Sequence, residues 1–374
     1  MRFMSTGSAM ICAAMFASLA MIGCATGESK MAPSNKLPDQ IDALVSAAFP
    51  DANAPGCSVL VRRNGETIFA KAYGLASLDT KMPNTPETNF RLASMTKQFT
   101  AAATMRLVEK KKLRLDEALT DIFPGFPDYG KKITVRHILN HTSGLKSYEK
   151  LMPADAKDQI LDAGVLEMMM HQTEGDFEPG AKYEYSNTGY AMLAMIVEKR
   201  SGMRFADFLQ EQFFGPFHMD GTVAHEEGRD TVPTRAFGYV RNDDGSYKFA
   251  DQSTTSAVLG DGGVYTSVTN YAKWADAWFD GRVLNDASRE QAWTPATLND
   301  ASHTKYGFGW NIEEIDGVRE VNHTGSTTGF NNCGRIFPPL HLCVVILSNC
   351  EGNDPKELGP KIEKLVIDSA KAAN

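Results

Sequence analysis

The chain has 374 residues, 43% hydrophobic and 22% charged, enough for a sizeable core in one or two domains. A formal net charge of −8 gives no support to nucleic-acid binding, which favours a basic surface, so no nucleic-acid partner is expected. There is no internal repeat and no long block of like charge.

In chain order, Arg2 precedes an apolar run from Ala9 to Ile22 that ends at Gly23-Cys24. The run reads as a secretory signal peptide over 1–23 rather than a spanning helix. Met21-Ile22-Gly23-Cys24 resembles a bacterial lipobox, which would make Cys24 the lipidated first mature residue and attach the protein to a membrane from the periplasm. The usual leucine is Met21 here, and ordinary export is the alternative reading. Residues 24–38 are polar and read as a tether. Next come a short helix over Ile41–Phe49 and two strands, Gly56–Val61 and Thr67–Gly74, whose Asn64-Gly65 connection predicts a tight hairpin. Ala101, Ala102, Met105 and Val108 recur at helical spacing, predicting a helix that starts at Ala93 or Ser94 and ends before Leu113.

Further helices are predicted over Val135–Leu139, Ile160–Met170, Thr188–Arg200 and Phe205–Phe214, and one over Val268–Phe279 capped by Ser267. Strands follow over Gly307–Glu313, Arg319–His323, Cys333–Phe337 and Leu342–Ser348. Pro338-Pro339 marks a connection, and Pro360–Ala370 reads as a terminal helix. The order predicts an α/β (α+β) fold with one antiparallel sheet completed by N- and C-terminal strands and flanked by helices. Residues 39–110 and 265–372 would form a discontinuous α/β lobe, and 111–264 a mainly helical second lobe, with a cleft between them. Cys57, Cys333, Cys343 and Cys350 could form two disulfides after export, but their spacing is no framework and apolar runs also bury free thiols, so pairing stays open. Without CxxC or HExxH, a zinc site is not expected.

Three short features carry the chemistry. Ser94-Met95-Thr96-Lys97 puts a hydroxyl and an amine on adjacent corners of one helical turn. A neutral lysine there could take the serine proton, and burial lowers a lysine pKa toward that use. Alone, the motif fits a capping serine and a solvated lysine equally well. Tyr185-Ser186-Asn187 reads either as a helix cap or as a proton relay at Tyr185 with an amide donor at Asn187. His323-Thr324-Gly325-Ser326 reads either as a Gly-rich turn or as a strand edge, where Gly325 admits a close backbone approach and an amide binds an oxyanion.

Together, in this order, the three features resemble the serine β-lactamase and penicillin-binding-protein family. The nearest pattern is the branch with class C β-lactamases, esterases and D-amino-acid peptidases. Ser94-x-x-Lys97, Tyr185-x-Asn187 and His323-Thr324-Gly325 stand for the family's S-x-x-K, Y-x-N and K-T-G or H-x-G. Ile138–Leu145 and Leu259–Tyr265 fit as well, and the resemblance covers about Pro55 to Cys350. It implies a β-lactamase/transpeptidase-like fold and a Ser94 acyl-enzyme with Lys97 and Tyr185 as catalytic partners. The amides of Ser94 and Ser326 would bind the oxyanion, and Asn187, His323, Thr324 and Gly325 the substrate. No cofactor or metal enters the scheme.

His323 in place of lysine withholds a fixed positive charge, which weakens a penicillinase reading. The expected activity is hydrolysis of small peptides or amides. Carboxylesterase, β-lactamase and a non-catalytic binder of cell-wall peptides or β-lactams are the alternatives. Tyr148, Phe237 and Phe330 are candidate pocket walls, and the sequence does not fix the oligomeric state.

Overall fold

Two hairpin-forming segments far apart in sequence build the central sheet. Asn64 and Gly65 both have positive φ, 50° and 77°, the geometry a tight two-residue hairpin needs, and they join β1 (Cys57–Arg63) to β2 (Glu66–Tyr73). Near the C-terminus lie β3 (Asn311–Ile315), β4 (Val318–Thr327), β5 (Phe330–Phe337) and β6 (Leu342–Ser348). The six strands run β3-β4-β5-β6-β1-β2 and every pairing is antiparallel, with Cys57 opposite Ser348 closing the sheet between the two ends of the chain. The computed structural model describes residues 36–351 and 355–372. The expected signal peptide, Cys24 and nearly all of the expected tether lie outside these residues.

Alternation along the strands sends side chains to two cores. Val59, Val61, Val344 and Ile346 pack with Ile41 and Val45 of α1 (Leu37–Ala48) and with Ile362 and Val366 of the terminal helix (Pro355–Ala372). Leu60, Cys343, Val345 and Leu347 face the larger core, which holds Phe99 and Met105 of α2 (Lys97–Glu109) and Trp274 and Trp278 of the Val268–Phe279 helix. Helices cover both faces, so the central strands are apolar throughout rather than alternating. The larger core continues without a break into the helical middle of the chain, through Leu193 and Ile196 of α3 (Asn187–Ser201).

The structure differs from the sequence reading in several boundaries. The first helix starts at Leu37 with Pro38 in its first turn, so the expected tether is shorter. Residues 307–310 are not strand. Gly309 has φ 78°, and a Cβ there would sit 2.6 Å from the Lys97 carbonyl oxygen, so this stretch bends closely over α2 before β3 begins at Asn311. The Phe205–Phe214 segment is α-helical only to Leu209 and continues as a π turn. The middle also contains short strands. Val264–Thr266 pairs with Phe90–Arg91 on one side and with Val223–Ala224 on the other. Among the described residues, Cys57, Cys333, Cys343 and Cys350 are all buried and no disulfide joins them.

Candidate active site

Ser94 does not stand in an α-helix, as the sequence suggested, but in a 3-10 turn over Ala93–Thr96 that leads into α2. In that tighter helix, residues three apart eclipse one another. The Lys97 ammonium therefore meets the Ser94 hydroxyl directly, Nζ to Oγ 3.1 Å. Ala93, just before the serine, has φ 50°, a left-handed conformation that costs a non-glycine residue energy. Surrounding contacts hold the turn in place. Asn332 of β5 donates to the Arg91 carbonyl (2.8 Å), and the Leu92 carbonyl lies where a Cβ on Gly325 would be, 2.0 Å away. Only glycine lets β4 approach the serine turn this closely, as the sequence reading expected. Ser94 and Ser326 consequently line one cavity of about 210 Å³.

Lys97 is fully buried and makes two further bonds, to Asn187 Oδ1 (2.8 Å) and to the Asp261 carbonyl oxygen (2.9 Å). Both atoms can only accept. In the neutral amine they take its two N–H groups, and the lone pair is left for the Ser94 hydroxyl. Burial pushes the Lys97 pKa down to about 8 against the opposing pull of Asp261 and Glu149. Asp261 itself is buried, its carboxyl pushed up by burial against the pull of Lys97, and one oxygen accepts from the Tyr148 hydroxyl (3.0 Å). The one-turn helix that carries Asp261 (Leu259–Gly262) is fixed from behind. Buried Asp162, whose pKa burial raises to about 8, accepts from the Leu259 and Gly260 amides (2.8 and 3.0 Å), and Thr100 donates to the Gly260 carbonyl (2.6 Å).

Asn187 is the first residue of α3, whose cap is the Ser186 hydroxyl accepting from the Gly189 amide (3.1 Å). Its oxygen faces Lys97, and its nitrogen donates to Glu149 Oε1 (2.8 Å). The Asn187 amide thus bridges Lys97 and Glu149. Tyr185 keeps 41% of its surface exposed. The protein crowded around it raises the phenol pKa, which the nearby Ser94 side chain partly offsets. The Lys97 nitrogen lies 4.9 Å from the centre of its ring.

His323 is buried in β4. Nδ1 lies 2.6 Å from the Thr324 carbonyl oxygen, which can only accept, so Nδ1 carries the proton and Nε2 accepts from the Tyr306 hydroxyl (3.0 Å). Burial, with the charge of Lys97 adding to it, lowers its pKa to about 3. His323 is therefore neutral at every ordinary pH. Thr324 is half-buried, and its side chain lies outside the cavity lining. Of the expected walls, Tyr148 lines the cavity. Phe330 is packed in the core instead, and the Phe237 ring lies tilted against that of Phe249, 6.3 Å between centres.

Sequence reasoning missed Asp261, Glu149, His141 and Tyr306 as members of this cluster. Asp261 stood inside the Leu259–Tyr265 phrase and His141 inside Ile138–Leu145, so their segments were singled out but no role was attached. Glu149 left no signal beyond following Tyr148.

The arrangement sets a serine hydroxyl against a buried lysine amine. The Beta-lactamase family profile matches residues 41–366, and the chain belongs to that family of serine hydrolases, as the three motifs implied. Among its relatives, Penicillin-binding protein 4* of Bacillus subtilis is 31% identical over 79% of this chain and 68% of its own length. A D-aminopeptidase of Brucella ovis is 29% identical over 86% of the chain, which spans only 61% of that enzyme. The solved structure of D-amino acid amidase from Ochrobactrum anthropi superposes with a TM-score of 0.75 at 24% identity, over 88% of this chain and 99% of that one, which shows a shared fold. Members of the family are typically periplasmic or secreted, in keeping with the expected export, and no described helix is long and apolar enough to cross a membrane.

Proposed function

We propose that this enzyme hydrolyses amides or short peptides whose acyl residue carries a free ammonium group. The charge of the cavity is the observation that carries the reading. Glu149 and Asp261 bring two carboxylates to its lining, whereas the Arg91 guanidinium is buried and donates to Gly262 and Ser256 within the protein. His323 is neutral. A substrate ammonium meets complementary charge there, and a substrate carboxylate, as in a penicillin, does not. The D-aminopeptidase and D-amino acid amidase among the relatives favour D-residues for the acyl part.

In this scheme neutral Lys97 takes the proton of Ser94 as Oγ attacks the carbonyl carbon. The Ser94 and Ser326 amides hold the oxyanion. The proton then passes through Tyr185 to the leaving nitrogen, whose bond to carbon breaks to give an ester on Ser94. Water, deprotonated through the same pair, cleaves that ester. Asn187 orients Lys97 and Glu149, and the Thr324–Gly325 edge of β4 lies along the substrate beside His323. We also propose two lobes, 39–110 with 265–372 and 111–264, and export to the periplasm with a lipid on Cys24.

Turnover of D- and L-alanine p-nitroanilides, each with a free and an acetylated amine, and of benzylpenicillin tests the substrate class. The free D-amine is expected to be the best substrate, with acetylation raising KM. Equal turnover after acetylation, or faster loss of benzylpenicillin, would contradict it.

A further inference from the structure

His141 is fully buried behind the site and makes no contact with the cavity. Its ring lies 4.3 Å from the ring of Tyr185, centre to centre, and 4.9 and 4.6 Å from those of Tyr190 and Tyr306. Within this aromatic enclosure Nδ1 accepts from the Ser186 amide (3.0 Å). The neutral ring must then carry its proton on Nε2, and Nε2 has no hydrogen-bond partner. A phenylalanine would fill the enclosure without burying an unpaired N–H. The retained histidine therefore calls for a use of Nδ1.

Its position supplies one. The His141 carbonyl accepts from the Glu184 amide (2.9 Å), so backbone and ring together grip Glu184 and Ser186, on either side of Tyr185. Asn187 follows directly. His141 adopts φ 60°, a left-handed conformation in the turn that ends the Val135–Leu139 helix. Protonation would destroy the acceptor and add a second cation near Lys97. Burial, with Lys97 and then His323 adding to it, holds the pKa well below the ordinary histidine value.

We propose that His141 is a positioning residue for the Ser94 reaction, holding the Tyr185-Ser186-Asn187 turn through an unprotonated Nδ1 and packing against the Tyr185 ring. The inference rests on the reading of Ser94 as nucleophile and Tyr185 as proton relay. His141 acts only through these residues and touches no reacting atom.

Three variants of the full chain separate positioning from packing. His141→Phe keeps the ring and loses the acceptor. His141→Gln places its amide where Nε2 was. His141→Asn places an acceptor where Nδ1 was and tolerates the left-handed conformation. Phe and Gln are expected to lower kcat by about 10²-fold through misplacement, with KM nearly unchanged, and Asn to recover most of the loss. Melting temperatures are read on the same samples, and Ser94→Ala is run beside them. Nitrogen-15 NMR of the wild-type imidazole is expected to show a neutral ring protonated on Nε2 from pH 5 to 9, a readout independent of any substrate. Full kcat in His141→Phe, equal loss in all three variants, or a ring protonated on Nδ1 would overturn the proposal. Activity surviving in Ser94→Ala would instead overturn the serine-hydrolase reading.

Discussion

Two buried cations, Lys97 and Arg335, sit at opposite ends of the sheet's chemistry. Arg335 of β5 is flanked by two buried carboxylates, Glu320 of β4 (2.7 Å) and Glu363 of the terminal helix. Lys97 has no carboxylate within ion-pairing distance among the described residues. Its fixed partners are an amide oxygen and a backbone carbonyl, with Asp261 and Glu149 acting from further off. Arginine cannot shed its proton, so burial acts on the acids instead and pushes Glu320 up to about 7. Lysine can shed its proton, and with only neutral acceptors in contact burial moves the lysine itself. The same withdrawal from water yields a structural tie in one place and a lysine of lowered pKa in the other.

The most severe way to break this comparison is at the nucleophile. Ser94→Ala is expected to cut kcat/KM on the order of 10⁴-fold or more, with no change in melting temperature, checked by steady-state kinetics and calorimetry. Removing each cation should then give opposite results. Lys97→Met should abolish most turnover while the protein stays folded. Arg335→Met leaves Glu320 and Glu363 buried without their counter-charge and should cost about 3–5 kcal/mol of stability by urea titration. The folded fraction of that variant should keep its kcat.

The two regions also respond differently to pH. Lys97 has a lowered pKa, so the reactive neutral form grows as pH rises, and acylation should increase through about pH 8. Glu320 has a raised pKa, so the folded state holds its proton where the unfolded chain has lost it. Its contribution favours folding at low pH and is lost as pH rises from the ordinary glutamate value of 4.5 through about 7. Urea midpoints across that window should fall less steeply in Glu320→Gln than in the wild type. The smallest expected effect is at the exposed rim. Glu149→Gln should raise KM about 2- to 5-fold for free-amine substrates, since a solvated ion pair contributes about 1 kcal/mol or less, and raise it less for acetylated substrates.

The strands and most helices were legible because both apolar period and punctuation were local. Val268–Phe279 and Leu342–Ser348 fall at the expected boundaries. The 3-10 turn at Ser94 was not, because the motif spacing of three suits either helix and the choice depends on β4 pressing against Leu92. The stretch 307–310 carries strand-like residues, but contact with α2 overrides them. At the site, Ser94, Lys97, Tyr185 and Asn187 were legible through their order along the chain. Asp261 and Glu149 were not, because they come from one-turn helices, Leu259–Gly262 and Tyr148–Leu151, that only tertiary packing brings to Lys97. The neutrality of His323 was legible in direction, but its proton position requires the Thr324 carbonyl and the Tyr306 hydroxyl.

The central claim is that Ser94 is the acylated nucleophile and buried Lys97 its base. Rapid-quench intact mass during turnover of p-nitrophenyl acetate, followed by peptide mapping, tests both at once. The account predicts one acetyl group on the peptide containing Ser94, forming faster as pH rises through about 8 and absent from Ser94→Ala. An acetyl group on another residue, one formed in Ser94→Ala, or a rate indifferent to pH in that range would contradict it.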